Sequence, residues 1–256
     1  MFTYFEHSDY QDLLRFERDL AELSILTVLF SESPGSIAEL GSFAVLNTIQ
    51  ERLLVVMHQE DAHQESFIWR GPVCFLQNLA ESNRQDDPIT IYNWGKNKDD
   101  HGYFSSIDFS DAIDLAETID TIISKQPKTV SFRKEQLGHI MLLIVGFLKI
   151  IQLATLDEIL FILKGFGIEA KLKAVKQYLS LLKSLGLINL KPYRNYLFYV
   201  DASQSHWFSW GYNSKTAKIR DENRWSTLFV DFYKNNQKEK HRALRSYLKS
   251  TGQIGD

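Results

Sequence analysis

The sequence predicts an α/β protein: a parallel sheet flanked by helices in the first half, and three helices, a β-hairpin and a helical tail in the second. Two observations carry this. Short apolar runs alternate with segments of helical periodicity over residues 1–125. Over residues 126–200, three helical segments precede two short strand-like runs separated by a turn.

The elements follow in order. Residues 2–5 read as a strand and 10–23 have helical spacing. Residues 25–30 are an apolar run of strand length, and 37–50 are a helix with apolar positions 37, 40, 43 and 46. A strand at 53–57, a mostly helical stretch at 66–79 and a strand at 89–94 come next. An amphipathic helix at 108–123 closes the module. Such alternation implies a Rossmann-like parallel sheet, with ligands outside the carboxyl ends of its strands. The polar stretch 93–102 is expected to be a loop, either a lid or plain surface.

The turn between the strand at 25–30 and the helix after it is the most informative segment. It reads Ser31-Glu32-Ser33-Pro34-Gly35-Ser36-Ile37-Ala38-Glu39-Leu40-Gly41. Backbone N–H groups at a helix start, with the Ser33 and Ser36 hydroxyls and Gly35 beside them, suit an anionic or sugar ligand. Glu39, about one turn inside, brings a carboxylate that can attack or support a sugar carbon losing its base. The same residues also make an ordinary turn with an N-cap, and an acid early in a helix is favoured by its dipole.

Resemblance adds to this reading. The segment Phe16-Glu17-Arg18-Asp19-Leu20-Ala21-Glu22, the run 25–30 and the Glu-Ser-Pro-Gly-Ser-x-x-Glu-Leu-Gly-x-Phe motif resemble the nucleoside 2-deoxyribosyltransferase-like family. More narrowly, they resemble effector proteins of retron anti-phage systems, as do Ser66-Phe67-Ile68 and Gly71-Pro72-Val73. The resemblance implies that Glu39, in Glu39-Leu40-Gly41, is the nucleophile, and that Glu17 holds ribose hydroxyls or orients Glu39. An Asp that the family often carries six residues before the nucleophile is Ser33 here. That departure weakens base transfer, which needs protonation of the leaving base. It leaves cleavage of NAD, whose nicotinamide is already cationic, as the better match. Against the family pattern, the chain starts at what resembles the second strand, so a first strand is expected to be missing.

Composition narrows the alternatives. With 256 residues and 44% hydrophobic content, the chain can bury one substantial core and a smaller one. Its one cysteine, Cys74, excludes a disulfide framework and a thiolate zinc site, and is expected to be buried filler. The seven histidines show no metal-ligand spacing, and no phosphate loop, dinucleotide fingerprint or nucleophile elbow is present, so no metal and no cofactor are expected. No signal-peptide pattern opens the sequence, and the most apolar window, residues 140–153, is interrupted by Gly146, Lys149 and Gln152. A cytoplasmic protein without a membrane partner is expected.

Charge divides the chain. Residues 1–125 carry a net of −14 and residues 126–256 a net of +11, which suggests two modules, either facing nucleic acid with the second or attracting each other. In the second, residues 135–152 form a long apolar helix. Thr155 to Glu158 make a capping box for a helix ending near Gly165, and residues 168–185 form a third helix stopped by Gly186. Strands at 187–190 and 196–200 complete a winged-helix (helix-turn-helix) pattern. On the third helix Leu172, Val175, Leu179 and Leu182 make the apolar stripe, with Lys173, Lys176 and Lys183 on an adjoining face; Lys191 and Arg194 extend it. These cations suit phosphates without reading bases, or are a solvated face of a protein-binding module. The tail, 201–256, carries Trp207, Trp210, Trp225 and ten Lys/Arg; Trp207 and Trp225 are expected to pack onto the winged helix. One helix is expected over 226–250.

Three domains are thus expected: 1–125, deoxyribosyltransferase-like; 126–200, winged helix; and the tail 201–256. Two function classes compete. One is a retron effector, an anti-phage toxin with N-glycosidase activity on NAD or a related nucleotide. The resemblance implies that a reverse transcriptase and its RNA-linked DNA (msDNA) hold it in check; a homo-oligomer is left open. The other is a non-enzymatic DNA-binding regulator whose first domain senses a nucleotide.

Overall fold

A computed structural model describes residues 8–62, 65–96, 104–203, 208–210 and 221–252. The chain divides into two compact units, Glu17–Ser131 and the described residues on either side of it. The strand expected at 2–5 lies outside the described residues.

In the unit Glu17–Ser131 the elements are α1 (Leu13–Leu23, which begins before it), β1 (Thr27–Ser31), α2 (Pro34–Ala44), β2 (Leu53–His58), α3 (Cys74–Asn83), β3 (Ile89–Tyr92), β4 (Trp94–Lys96), β5 (Phe104–Ile107) and α4 (Phe109–Lys125). β1, β2 and β3 form a parallel sheet with β2 in the centre, as the alternation implied. The register pairs Ser31 with Met57 and His58 with Tyr92, so these residues share the carboxyl edge.

All six residues of β2 are buried. Leu53, Val55 and Met57 join Leu29, Leu40, Phe43, Ala44, Ile49, Val73 and Leu76 on one face. Leu54 and Val56 join Tyr92 and Leu115 on the other. A parallel strand covered on both faces is apolar throughout instead of alternating, which is why Leu-Leu-Val-Val-Met reads as one run.

Boundaries moved where polar contacts outweigh periodicity. β1 starts at Thr27, not 25, because Ile25 is 50% exposed in the turn after α1. α2 starts three residues earlier than expected because Ser33 caps it, and it ends at Ala44. Residues 46–52 instead form turns that bury Ile49. Between 69 and 73 the backbone is a π-helix that runs into α3; Pro72 lies inside it and has no N–H to donate. β3 stops at Tyr92, and Trp94–Lys96 pairs antiparallel with β5, so part of the expected loop 93–102 is a hairpin strand. Residues 97–103 are outside the described residues.

Arg52 knits the amino edge of the sheet together. Its Nη1 donates to Ser24 O at 2.6 Å and its Nε to Thr48 O at 2.8 Å. Its Nη2 lies 3.3 Å from Glu22 Oε2, and Thr48 Oγ1 donates to Glu22 Oε1. One guanidinium therefore joins the α1–β1 turn to the α2–β2 connection.

The other unit holds α5 (Leu137–Ile151), β6 (Leu153–Ala154), α6 (Leu156–Gly165), α7 (Leu172–Ser184), β7 (Ile188–Tyr193), β8 (Tyr196–Asp201), α8 (Glu222–Asn236) and α9 (Lys238–Ser250). β8 is central in an antiparallel sheet of order β6-β8-β7. Thr155 and Glu158 make the expected capping box. α6 closes at Gly167 (φ +70°) with Ile168 N–H bonded to Leu163 O. This turn holds Ile168, so α7 begins at Leu172 and not at 168. Gly186 (φ +70°) ends α7 as expected. Leu172, assigned to the apolar stripe, is 49% exposed at the first turn of α7, whereas Val175, Leu179 and Leu182 are buried. The single helix expected at 226–250 is two, broken at Gln237. The break lets Tyr233, Ala243 and Leu244 pack together on Leu153, Phe198 and Val200. Trp225 is 37% exposed, with its ring 6.5 Å from Phe229 of its own helix; Trp207 lies outside the described residues. No helix among the described residues is long and apolar enough to cross a membrane.

Arg52→Ala removes the guanidinium and strands Glu22, so urea denaturation should show a loss of about 2–4 kcal/mol. Arg52→Lys should recover little of it, because an ammonium cannot reach both carbonyls with a planar fork.

Candidate active site

The β1–α2 turn is built by two serines. Ser33 is the N-cap, and its Oγ accepts the Ser36 N–H at 3.1 Å. Ser36 Oγ accepts the N–H groups of Glu32 and Ser33, each at 3.0 Å, and donates to Ser33 O. Pro34 at N1 has no N–H to satisfy. Both hydroxyls thus make hydrogen bonds inside the loop. Gly35 N–H, the remaining donor of the first turn, has no partner among the described residues. A Cβ on Gly35 would meet only Ser33 Oγ, at 3.7 Å, so the glycine is not required by packing.

The capped turn fixes the rotation of α2. Leu40 and Phe43 enter the core, and Glu39 lies half-buried beside them. Glu17, on α1, is 5% exposed. The two carboxyls come from elements that are separate in sequence yet share one electrostatic environment. Burial, and then the charge of Glu39, push the Glu17 carboxyl up from 4.5 to about 7. Burial also raises the Glu39 carboxyl.

The neighbours of Glu17 on α1 make a contrast. Asp19, fully buried, accepts from Arg18 Nε and Nη2 at 3.0 and 2.6 Å. Glu22 has Arg52 and Thr48. Glu17 makes no ion pair or hydrogen bond among the described residues, and the surface salt bridge with Arg15 or Arg18 weighed for it does not form. The charge that acts on it is that of a second acid, Glu39. Burial and the neighbouring negative charge favour the protonated form of Glu17, and a protonated carboxyl can donate a hydrogen bond.

The carboxyl edge of the sheet also holds groups that sequence reading missed. His58, buried at the end of β2, accepts the Glu60 N–H on Nδ1 at 3.1 Å, which places the proton of the neutral ring on Nε2. Opposite it, Tyr92 donates to Asp114 Oδ2 at 2.6 Å, and burial together with that contact pushes its hydroxyl up to about 12. A polar residue ending an apolar run was the available signal for both. Cys74 is half-buried, with its Sγ 3.5 Å from Asn78 Nδ2. No cluster of His, Cys, Asp and Glu suited to a metal occurs among the described residues.

The basic residues singled out in the second half lie on α7 and the β7–β8 hairpin. Lys173, Lys176 and Lys183 are exposed. Lys173 Nζ donates to Gln11 Oε1 at 2.5 Å. Lys176 and Lys183 line a cavity of about 290 Å³ with Asp9, Ser180, Ser184 and Tyr199. Lys191 is half-exposed on β7. Arg194, at the hairpin tip, pairs with Glu239 of α9 at 2.9 Å.

Comparison with known proteins gives this geometry a context. Residues 1–190 match the family described as STM3845 retron effector protein. An Escherichia coli protein of retron Ec73, named for ribosyltransferase and DNA-binding functions, is 26% identical over 260 aligned positions, covering 94% of this chain and 73% of that protein. A similarly named protein of retron Ec86, also from Escherichia coli, is 37% identical over 67 residues, 26% of this chain and 22% of that protein. With about three-quarters of its length matched, the chain belongs to the STM3845 family of retron effector proteins.

Proposed function

We propose that this retron effector is an N-glycosidase of the nucleoside deoxyribosyltransferase-like type, acting on NAD or a related nucleotide. The Glu17–Glu39 pair carries the reading: an acid buried near the charge of a second acid, on a helix where Asp19 and Glu22 have arginines, fits chemistry better than packing. The ribosyltransferase names of the two relatives support it. In this mechanism the Glu39 carboxylate attacks the anomeric carbon of the ribose, and the C1′–N bond electrons leave with the base. Nicotinamide departs neutral because its nitrogen starts cationic, so no acid is needed where Ser33 stands. Water then hydrolyses the glycosyl ester. Glu17, protonated, donates a hydrogen bond that orients Glu39 or a ribose hydroxyl, and the Gly35 N–H faces the substrate.

In this proposal the catalytic domain expected at 1–125 has Glu17–Ser131 as its compact unit, 126–200 is a winged helix and 201–256 a basic tail. The helices α5, α6 and α7 followed by the β7–β8 hairpin support the winged-helix reading. Lys173, Lys176, Lys183, Lys191 and Arg194 would contact nucleic-acid phosphates, consistent with the DNA-binding names of the relatives. A reverse transcriptase and its msDNA, in the cytoplasm, would restrain the enzyme. A second reading, a DNA-binding regulator that senses a nucleotide without turnover, draws on the three helices and hairpin of the second unit.

Glu39→Gln should abolish nicotinamide release from NAD by at least 10³-fold while leaving the thermal melt intact. Unchanged release would remove Glu39 from the mechanism; nucleotide binding by calorimetry with no release in the wild type would favour the sensor.

The Glu17 shift sets two pH dependences. Activity should fall above about pH 7 as Glu17 loses its proton, and Glu17→Gln, which keeps a donor, should flatten that alkaline limb. Stability follows the same proton. A carboxyl raised from 4.5 to about 7 on folding holds more protons in the folded state, so its stability contribution is full below 4.5 and is lost as pH rises through 7. Glu17→Gln should therefore match the wild type near pH 4.5 and exceed it at pH 8 in urea denaturation, by on the order of 1 kcal/mol after solvent screening.

A further inference from the structure

The face of α7 that carries Lys173, Lys176 and Lys183 is already touched by the chain's own acidic segment, Asp9-Tyr10-Gln11-Asp12. Lys176, Ser180 and Lys183 follow one another at i, i+4 and i+7, so their side chains share a stripe. Asp9 N–H donates to Ser180 Oγ at 3.1 Å. Gln177, buried, sends its Nε2 to Asp9 O at 3.4 Å. Lys173 Nζ is held by Gln11. Asp9 also lines the cavity formed with Lys176, Lys183, Ser184 and Tyr199, and burial followed by the charge of Asp9 raises the Tyr199 hydroxyl. Tyr10, 6% exposed and edge-on to Phe16 at 5.3 Å, sets the register of Asp9 and Gln11 on either side of it.

Two lysines, two serine hydroxyls and a tyrosine hydroxyl around about 290 Å³ form a set of donors suited to a phosphate group. The anion in that cavity is Asp9. We propose that residues 9–12 mask a phosphate-binding groove on α7, and that nucleic acid must displace this segment to bind there. The inference rests on the nucleic-acid reading of α7 given above. The bonds that Asp9 and Gln11 make to Ser180 and Lys173 are solvent-exposed, so these two residues can yield to a polyanion while Tyr10 stays packed on Phe16. Masking lowers apparent affinity in proportion to the fraction of molecules in which the groove is covered.

The test uses the full chain, a fluorescein-labelled 20-base-pair DNA duplex and its single strand, with anisotropy read across a salt series. Asp9→Ala combined with Gln11→Ala should tighten binding roughly five- to tenfold, and should steepen the salt dependence because the freed lysines regain counterions to release. Lys176→Glu with Lys183→Glu should abolish that gain. In the wild type, hydrogen exchange of residues 9–12 should accelerate when duplex is added. If DNA binds through the lysines yet the Asp9/Gln11 variant is no tighter and the segment keeps its protection, masking is overturned and the nucleic-acid reading stands. If neither wild type nor variant binds either DNA, both fall.

Discussion

Burial of β2 on both faces is the constraint on which the unit Glu17–Ser131 depends. Six consecutive residues without solvent contact leave no room for polar groups along the strand, so helices must cover each side of the sheet. Polar groups then gather at the strand ends. At the amino edge Arg52 draws the α1–β1 turn and the α2–β2 connection together. At the carboxyl edge Ser31, His58 and Tyr92 finish their strands, and the turn after Ser31 delivers α2 with Glu39.

The acids of α1 show how one helix can divide its labour. Asp19, buried, and Glu22, half-buried, are compensated by arginines, the ordinary way a fold retains internal charge. Glu17 is also buried and is placed near more negative charge. That arrangement stores a cost in the folded state, relieved when a proton or a cationic ligand group arrives.

Local signals in the sequence were strong enough to place the strand at 53–57, the capped turn at Ser33, the Thr155–Glu158 box and the glycine stop at 186, because each depends on residues within a few positions of one another. Glu39 was legible from its turn, whereas the link between Glu17 and Glu39 came through family resemblance, since no spacing rule joins two helices. The Tyr92–Asp114 bond spans 22 residues and the Asp9–Ser180 bond 171, and periodicity carries no information on either. The break at Gln237 escaped notice because the polar, basic helix 238–250 continues the pattern before it; packing on β8 decides it.

The sheet of the second unit bears on how the chain acquires its structure during synthesis. β6 is two residues long and pairs only with β8, which begins 42 residues after β6 ends, and Leu153 is finally enclosed by residues of α8 and α9. β8, α8 and α9 all follow α7 in the chain, so none of these partners has emerged when α7 has. A nascent chain with α5, α6 and α7 outside the ribosome therefore still exposes the apolar side of that incipient sheet. It remains dependent on its last segments, and on whatever shields it meanwhile, until they arrive.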